Sequence, residues 1–262
     1  MNLFKYIFPL ILLYPLLFEN QAQAQDPQFS QYYAAPLYIN PGFTGTIPGQ
    51  RVAFNSRVQW TQLKSPFTTY AVSYDIYSDH LNSGFGLMAI TDKAGSANLH
   101  TTSIGGLYSA KIRLSEGWMV SPGLNFAYGN RGVDFDKLVF GDQIEYNGPT
   151  LDDAISQLNN RSYFDFGSGV VIYNKLMWLG FSVSHINEPN HSLLGENAKL
   201  PMKQSVHGGV RIPVKMHPLA KMKLSSISPS FIYTQQGEFR QFDLGVNVVY
   251  DPILVGLWFR GL

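Results

Sequence analysis

Six histidines, at 80, 100, 185, 191, 207 and 217, are the first residues to test for chemistry. None has the i, i+4 spacing of a helical zinc motif. Gly167-Ser168-Gly169 lacks the strand–turn–helix setting that exposes a nucleophilic serine. Ser205 and His207 share one face of a strand, but no third group completes a triad. Asp134, Asp136, Asp142 and Glu145 fall in one long polar stretch without EF-hand spacing, so they read as solvated loop acids and no metal or other cofactor is expected. No phosphate-binding glycine loop is present, and with no cysteine there is neither thiolate ligand nor thiol nucleophile. The expectation is a protein that is not an enzyme.

The remaining chemistry-bearing residues are isolated charges, Arg57, Arg211 and Lys215, placed on the polar side of alternating segments. Over Gln50–Ser78, Val52, Phe54, Ser56, Val58 and Trp60 fall on one side of an extended strand. Arg51, Ala53, Asn55, Arg57 and Gln59 fall on the other. After a break at Gln62–Pro66, Tyr70, Val72, Tyr74 and Ile76 oppose Thr69, Ala71, Ser73 and Asp75. The same period of two returns along the chain: Ile104, Gly106 and Tyr108; Leu124, Phe126 and Tyr128; Leu179, Phe181 and Val183; Phe242, Leu244, Val246 and Val248. About eleven strands result. Ten residues at roughly 3.3 Å each, tilted ~45°, rise ~23 Å, close to the ~25 Å apolar band of an outer-membrane barrel. Trp60, Tyr70, Tyr77, Trp118, Tyr128 and Tyr250 near strand ends suit interfacial girdles.

Composition agrees. Charged residues make up 14% of the 262-residue chain and mean hydropathy is −0.05, against roughly 25% charged in soluble proteins. A soluble sandwich would turn its apolar faces inward and carry far more Lys and Glu outside. A net charge of +1 argues against a nucleic-acid partner. The fold expected is therefore all-β, an antiparallel up-and-down transmembrane barrel. A charge facing lipid at mid-depth costs ~2–4 kcal/mol, so Arg57, Arg211 and Lys215 are expected in the lumen, for hydration and ion pairing or as ligand contacts.

Three regions organise the chain. Residues 1–24 read as a signal peptide: Lys5, an apolar run Tyr6–Phe18 and a small-x-small site at Ala22-Gln23-Ala24. Residues 25–49 hold Pro27, Pro36 and Pro41, with a turn signal at Asn40-Pro41-Gly42, and suggest neither a good strand nor a good helix. This segment is either a flexible leader or an ordered plug or docking surface. Phe29, Tyr32, Tyr33, Tyr38 and Phe43 are odd choices for a solvated tail, so Phe29, Tyr32, Tyr33, Asn40 and Phe43 are the residues expected to order it and meet a partner. Residues 50–262 form the barrel. Two polar interruptions, Asn130–Arg161 and Asn187–Leu200, read as long loops, with a short helix expected at Leu151–Leu158.

The stretch DPQFSQYYAAPLYINPGFTG resembles the N-terminal signature of the PorP/SprF family of Bacteroidetes outer-membrane proteins. Arg57-Val-Gln-Trp60, Pro66-Phe-Thr-Thr-Tyr70, Phe140-Gly-Asp-Gln143 and Gly256-Leu-Trp-Phe-Arg-Gly261 support it. The resemblance implies an outer-membrane barrel of the type IX secretion and gliding-motility machinery. Its partners would be outer-membrane lipid and either the C-terminal domain of a secreted adhesin or the periplasmic secretion-ring proteins. Relatives run several strands further, so the barrel is expected to be incomplete at the C-terminal end of this chain. The competing function is a passive channel for small solutes.

Overall fold

A computed structural model describes residues 26–29, 31–95, 98–134, 143–144, 160–193, 197–214, 225–250 and 253–261. The short helix expected at Leu151–Leu158, most of the first long loop and Lys215 lie outside them. The described residues form a single antiparallel sheet of β1 (Gln50–Gln59), β2 (Phe67–Ser78), β3 (Ser83–Ala94), β4 (Leu99–Ala110), β5 (Ile112–Ser115), β6 (Trp118–Gly132), β7 (Arg161–Tyr173), β8 (Met177–Ser184), β9 (Lys203–Val210), β10 (Ile212–Val214), β11 (Ser225–Gln236), β12 (Phe239–Tyr250) and β13 (Ile253–Gly261). Neighbours in sequence are neighbours in space. Because β5 continues β4 along β6, and β10 continues β9 along β11, the segments fill eleven positions. The sheet does not close: β1 pairs only with β2, and β13 only with β12. The expected incomplete barrel is the architecture observed.

The alternation read from the sequence sets which face goes where. Val52 is 72% exposed, Leu87 and Ile104 64%, and Leu257 79%. Ser73, Asp75, Ser109, Ser121, Ser182, Ser205, His207, Ser230, Gln241 and Asp243 are buried. That is the inverse of a water-soluble fold and suits a wall between hydrocarbon and a polar interior. Outward side chains cover one another across strands, as Phe54 stacks on Tyr70 and Phe126 meets Phe164 and Phe166.

The expected strand breaks are present with small shifts. Trp60 leaves β1 and turns at φ 52°, with its ring edge-on to Phe67 at 4.7 Å. The long connections, 133–160 and 185–202, lie at the same end of the sheet as 60–66, 95–98 and 237–238. Most connections at the other end are short turns. These are the long-loop and short-turn ends below.

A core lies on the polar face. Residues 26–49 contain three single helical turns, Tyr32–Ala34, Pro36–Ile39 and Pro41–Phe43, where the sequence suggested no helix. The prolines explain the difference. Pro36 and Pro41 each sit at a helix start, where the missing N–H costs nothing and φ is already set.

Candidate functional site

The N-terminal segment runs along the polar face from the long-loop end to the short-turn end, and side chains from both sheet edges and the strands between meet it. The inner half is built around Asn40, which is 0% exposed. Its Oδ1 accepts the N–H of Gly42 at 2.8 Å, capping the turn Pro41–Phe43. Its Nδ2 faces the carbonyls of Val170 at 3.1 Å and Phe181 at 3.0 Å, and His207 Nε2 at 3.1 Å. One amide therefore opens a turn and ties it to β7, β8 and β9. Ser182 donates to Ile39 O at 2.6 Å. The Phe43 ring lies 5.0 Å from that of His207.

The wall is shaped for this turn. A Cβ on Gly123 would stand 2.4 Å from Gly42 N, and one on Gly169 would stand 2.3 Å from Asn40 Oδ1. Only glycine lets the backbones approach so closely.

Charges close the short-turn end. Arg51 and Asp75 are direct cross-strand partners and pair at 2.8 Å. Asp75 also accepts Gly45 N at 2.7 Å, and Arg51 donates to Phe43 O at 3.2 Å. Lys111, between β4 and β5, donates to Thr44 O and Ser121 Oγ at 2.6 Å, with Gly42 O at 3.3 Å and Ser109 Oγ at 3.0 Å.

The outer half is held differently. Arg57 donates to Gln28 O, Arg260 to Phe29 O at 3.3 Å, and Asn55 to Ala34 O at 3.2 Å. Phe29 is buried edge-on to Tyr38 at 5.5 Å. Tyr32 meets Trp258 of β13 edge-on at 4.5 Å, and Tyr33 stacks on the same indole at 5.7 Å. At the long-loop end Asp26 takes His185 at 2.8 Å and Lys203 at 3.2 Å, while His185 reaches Asp165 at 2.9 Å. The Lys203 ammonium sits 4.3 Å from the centre of the Tyr38 ring. Burial opposes the charge on Asp26, but His185 and Lys203 outweigh it and hold the carboxyl far below its ordinary range. Burial likewise opposes protonation of His185, and Asp26 and Asp165 outweigh it, raising the imidazole to about 9.

Phe29, Tyr32, Tyr33, Asn40 and Phe43 thus lie on one continuous segment against the polar wall. Arg57 also reaches that segment. Arg211 does not: it sits exposed between β9 and β10, and its Nε lies 3.4 Å from Ser226 Oγ. Sequence reasoning missed Arg51–Asp75, Lys111, Asp26–His185–Lys203 and Arg260–Asp243. An available signal was a charge of each sign on the polar faces of adjacent strands, as in Arg51 with Asp75 and Asp243 with Arg260.

The side chains of the cluster act on the segment through hydrogen bonds, ion pairs and ring contacts. The hydroxyl of Ser205 is 3.3 Å from that of Thr234, while His207 meets Asn40, so no serine–histidine relay forms. Among the described residues no group of three His, Cys, Asp or Glu side chains could hold a metal ion.

The family model described as type IX secretion system membrane protein PorP/SprF matches residues 21–261 of the chain. No curated protein matches it.

Proposed function

The chain belongs to the type IX secretion system membrane protein family PorP/SprF, and from that premise we propose that it is an outer-membrane barrel that docks or anchors a secreted adhesin. The long loops face outward, residues 1–24 are removed on export, and residues 25–49 form a plug that also serves as the docking surface. The secreted protein's C-terminal domain enters from the long-loop end, where connection 185–202 lies, and reaches Tyr32 and Tyr33 where they meet Trp258 partway along β13.

What supports this reading over a passive channel is the occupation of the polar face. From Gln236 and His185 at one end to Lys111 and Asp75 at the other, its side chains hold residues 26–45. A channel needs those groups to line water. Planar bilayer recordings separate the two: the plugged barrel is silent, and steady ion current from the intact chain favours the channel.

Docking is tested by purifying the chain from native outer membranes. Wild type should bring down a secreted protein bearing a C-terminal secretion domain. Tyr32→Ala/Tyr33→Ala should lose it while still migrating as a folded, heat-modifiable barrel. Undiminished recovery with the double variant refutes docking through this segment. Recovery of periplasmic ring proteins alone would shift the reading to coupling with the ring.

A further inference from the structure

The two halves of the N-terminal segment are held by different chemistry. The inner half, 40–45, is gripped through its backbone by Arg51, Asp75, Lys111 and Ser121, and also through the side chain of Asn40 and glycine-sized spaces in the wall. The Asn40 contacts and the close approaches suit one sequence. The outer half has no such close-packed turn: the carbonyls of Gln28, Phe29 and Ala34 accept from Arg57, Arg260 and Asn55, and Tyr32 and Tyr33 lie against Trp258. Any extended peptide offers such carbonyls. Two side chains add specificity near its start: the Asp26 carboxylate and the buried Phe29 ring three residues on.

Asp26 is also the one charged member of its cluster that the segment contributes. His185 follows β8, Asp165 belongs to β7 and Lys203 opens β9. Gln236, the last residue of β11, accepts Asp26 N–H at 3.0 Å. The side chains of Asp26, His185, Asp165 and Lys203 are between 10% and 14% exposed. With both basic groups protonated, the wall supplies two cations and one carboxylate. Without Asp26 it carries one uncompensated positive charge in a site with little water, and a buried charge needs a partner.

The geometry points to His185 and Lys203 forming a carboxylate-binding site that Asp26 fills from within the chain and that an acidic group on a partner peptide fills in its place. The partner is an extended peptide with a carboxylate followed at the third position by an aromatic ring. It displaces residues 26–34 and leaves 40–45 seated. This inference rests on the docking reading and names how docking begins.

The test uses the full chain in detergent. It has no cysteine, so Gln31→Cys, at an exposed position, carries the sole environment-sensitive dye. The probes are acetyl-Asp-Pro-Gln-Phe-amide, its Asn counterpart, and the Asn peptide with a free C-terminal carboxylate. The Asp amide should shift the fluorescence saturably and bind at least tenfold more tightly than the Asn amide. Binding by the Asn free acid would assign the site to a chain-terminal carboxylate; binding by the Asp amide assigns it to an acidic side chain. Asp26→Asn in the chain should tighten the Asp amide at least tenfold, and Lys203→Gln should weaken it. Equal binding of Asp and Asn amides to the otherwise wild-type chain overturns the inference without relying on a variant that must fold. If no peptide binds yet the Tyr32/Tyr33 variant loses its secreted partner, carboxylate exchange fails and docking stands. If that variant keeps its partner, docking itself fails.

Discussion

Arg57 and Arg260 stand on the two unpaired edges of the sheet and donate to consecutive carbonyls, those of Gln28 and Phe29. One dipeptide therefore bridges the opening between β1 and β13. Arg260 also pairs with its cross-strand neighbour Asp243, which is 4% exposed. Arg57→Gln should raise the labelling rate of a cysteine placed at the buried Ala35 several-fold with little change in stability. Arg260→Gln should do the same and also lower the urea midpoint. Its cost is about 1–3 kcal/mol, because the exposed guanidinium screens part of the interaction while Asp243 is left with Gln241. Equal labelling in both variants and wild type would show that the bridge does not restrain the segment.

Asn40→Ala removes an amide that serves two wall carbonyls and one turn N–H. Several buried groups lose partners together, and the expected loss is about 2–4 kcal/mol. Urea unfolding followed by tryptophan fluorescence should show a lower midpoint. Asn55→Ala, which loses one contact to a half-buried carbonyl, should lower it by under about 1 kcal/mol.

Gly169→Ala drives a methyl group into Asn40 Oδ1, and Gly123→Ala drives one into Gly42 N. Gly106 has nothing within 4 Å of an added Cβ. The first two should expose the N-terminal segment to added protease while the strands stay resistant. Gly106→Ala should leave the digestion pattern unchanged. Segment release by Gly106→Ala alone would place the constraint elsewhere.

His185 gives a pH dependence of definite sign. Its imidazole is raised from 6.5 to about 9 in the folded protein. The stability it contributes is full below 6.5 and is lost as pH rises through about 9. Asp26 is lowered, so its contribution is full above about 3.8 and fades in more acidic solution. Both act fully between about pH 4 and 6.5. Other groups titrate over the same range, so the difference between wild type and His185→Gln is the quantity to measure. The difference in unfolding free energy, read from urea titrations, should shrink by a few kcal/mol (about 1.4 per pKa unit) from pH 6 to pH 9.5. A constant difference across that range would remove His185 from the latch.

Ile104→Arg places a charge on the outward face of β4. In a lipid-facing wall it should cost ~2–4 kcal/mol and slow refolding into phosphatidylcholine vesicles. Ser103→Arg, on the polar side, tests the opposite face and should perturb refolding less. Equal effects would mean that hydrocarbon does not cover Ile104.

The sheet was legible because alternation is local. Val52, Phe54, Val246 and Val248 announce their face within a few residues, and eleven strand positions follow from repeating that reading. The site was legible only in part. The aromatic richness of 29–43 marked the segment, but nothing local pairs Asn40 with Val170 and Phe181, more than a hundred residues away. Asp26 joins His185 and Lys203 across similar distances. Such contacts depend on how strands curl around the segment. The three helical turns escaped detection because each is a single turn, too short to show a 3.6-residue period.

The path of residues 26–45 also bears on the order of assembly. The segment descends the interior from one end to the other, and β1 then climbs back beside it. Lys111, Asp75 and the Asn40 amide grip it from several strands at once. Seating the peptide after the strands are in place would mean bringing it past all of those groups, whether lengthwise or through the opening between β1 and β13. Laying the strands one after another around a peptide already in place requires no such passage. If the segment seats first, it acts as a mandrel for assembly, and a variant that cannot seat Asn40 should accumulate before membrane insertion rather than after it.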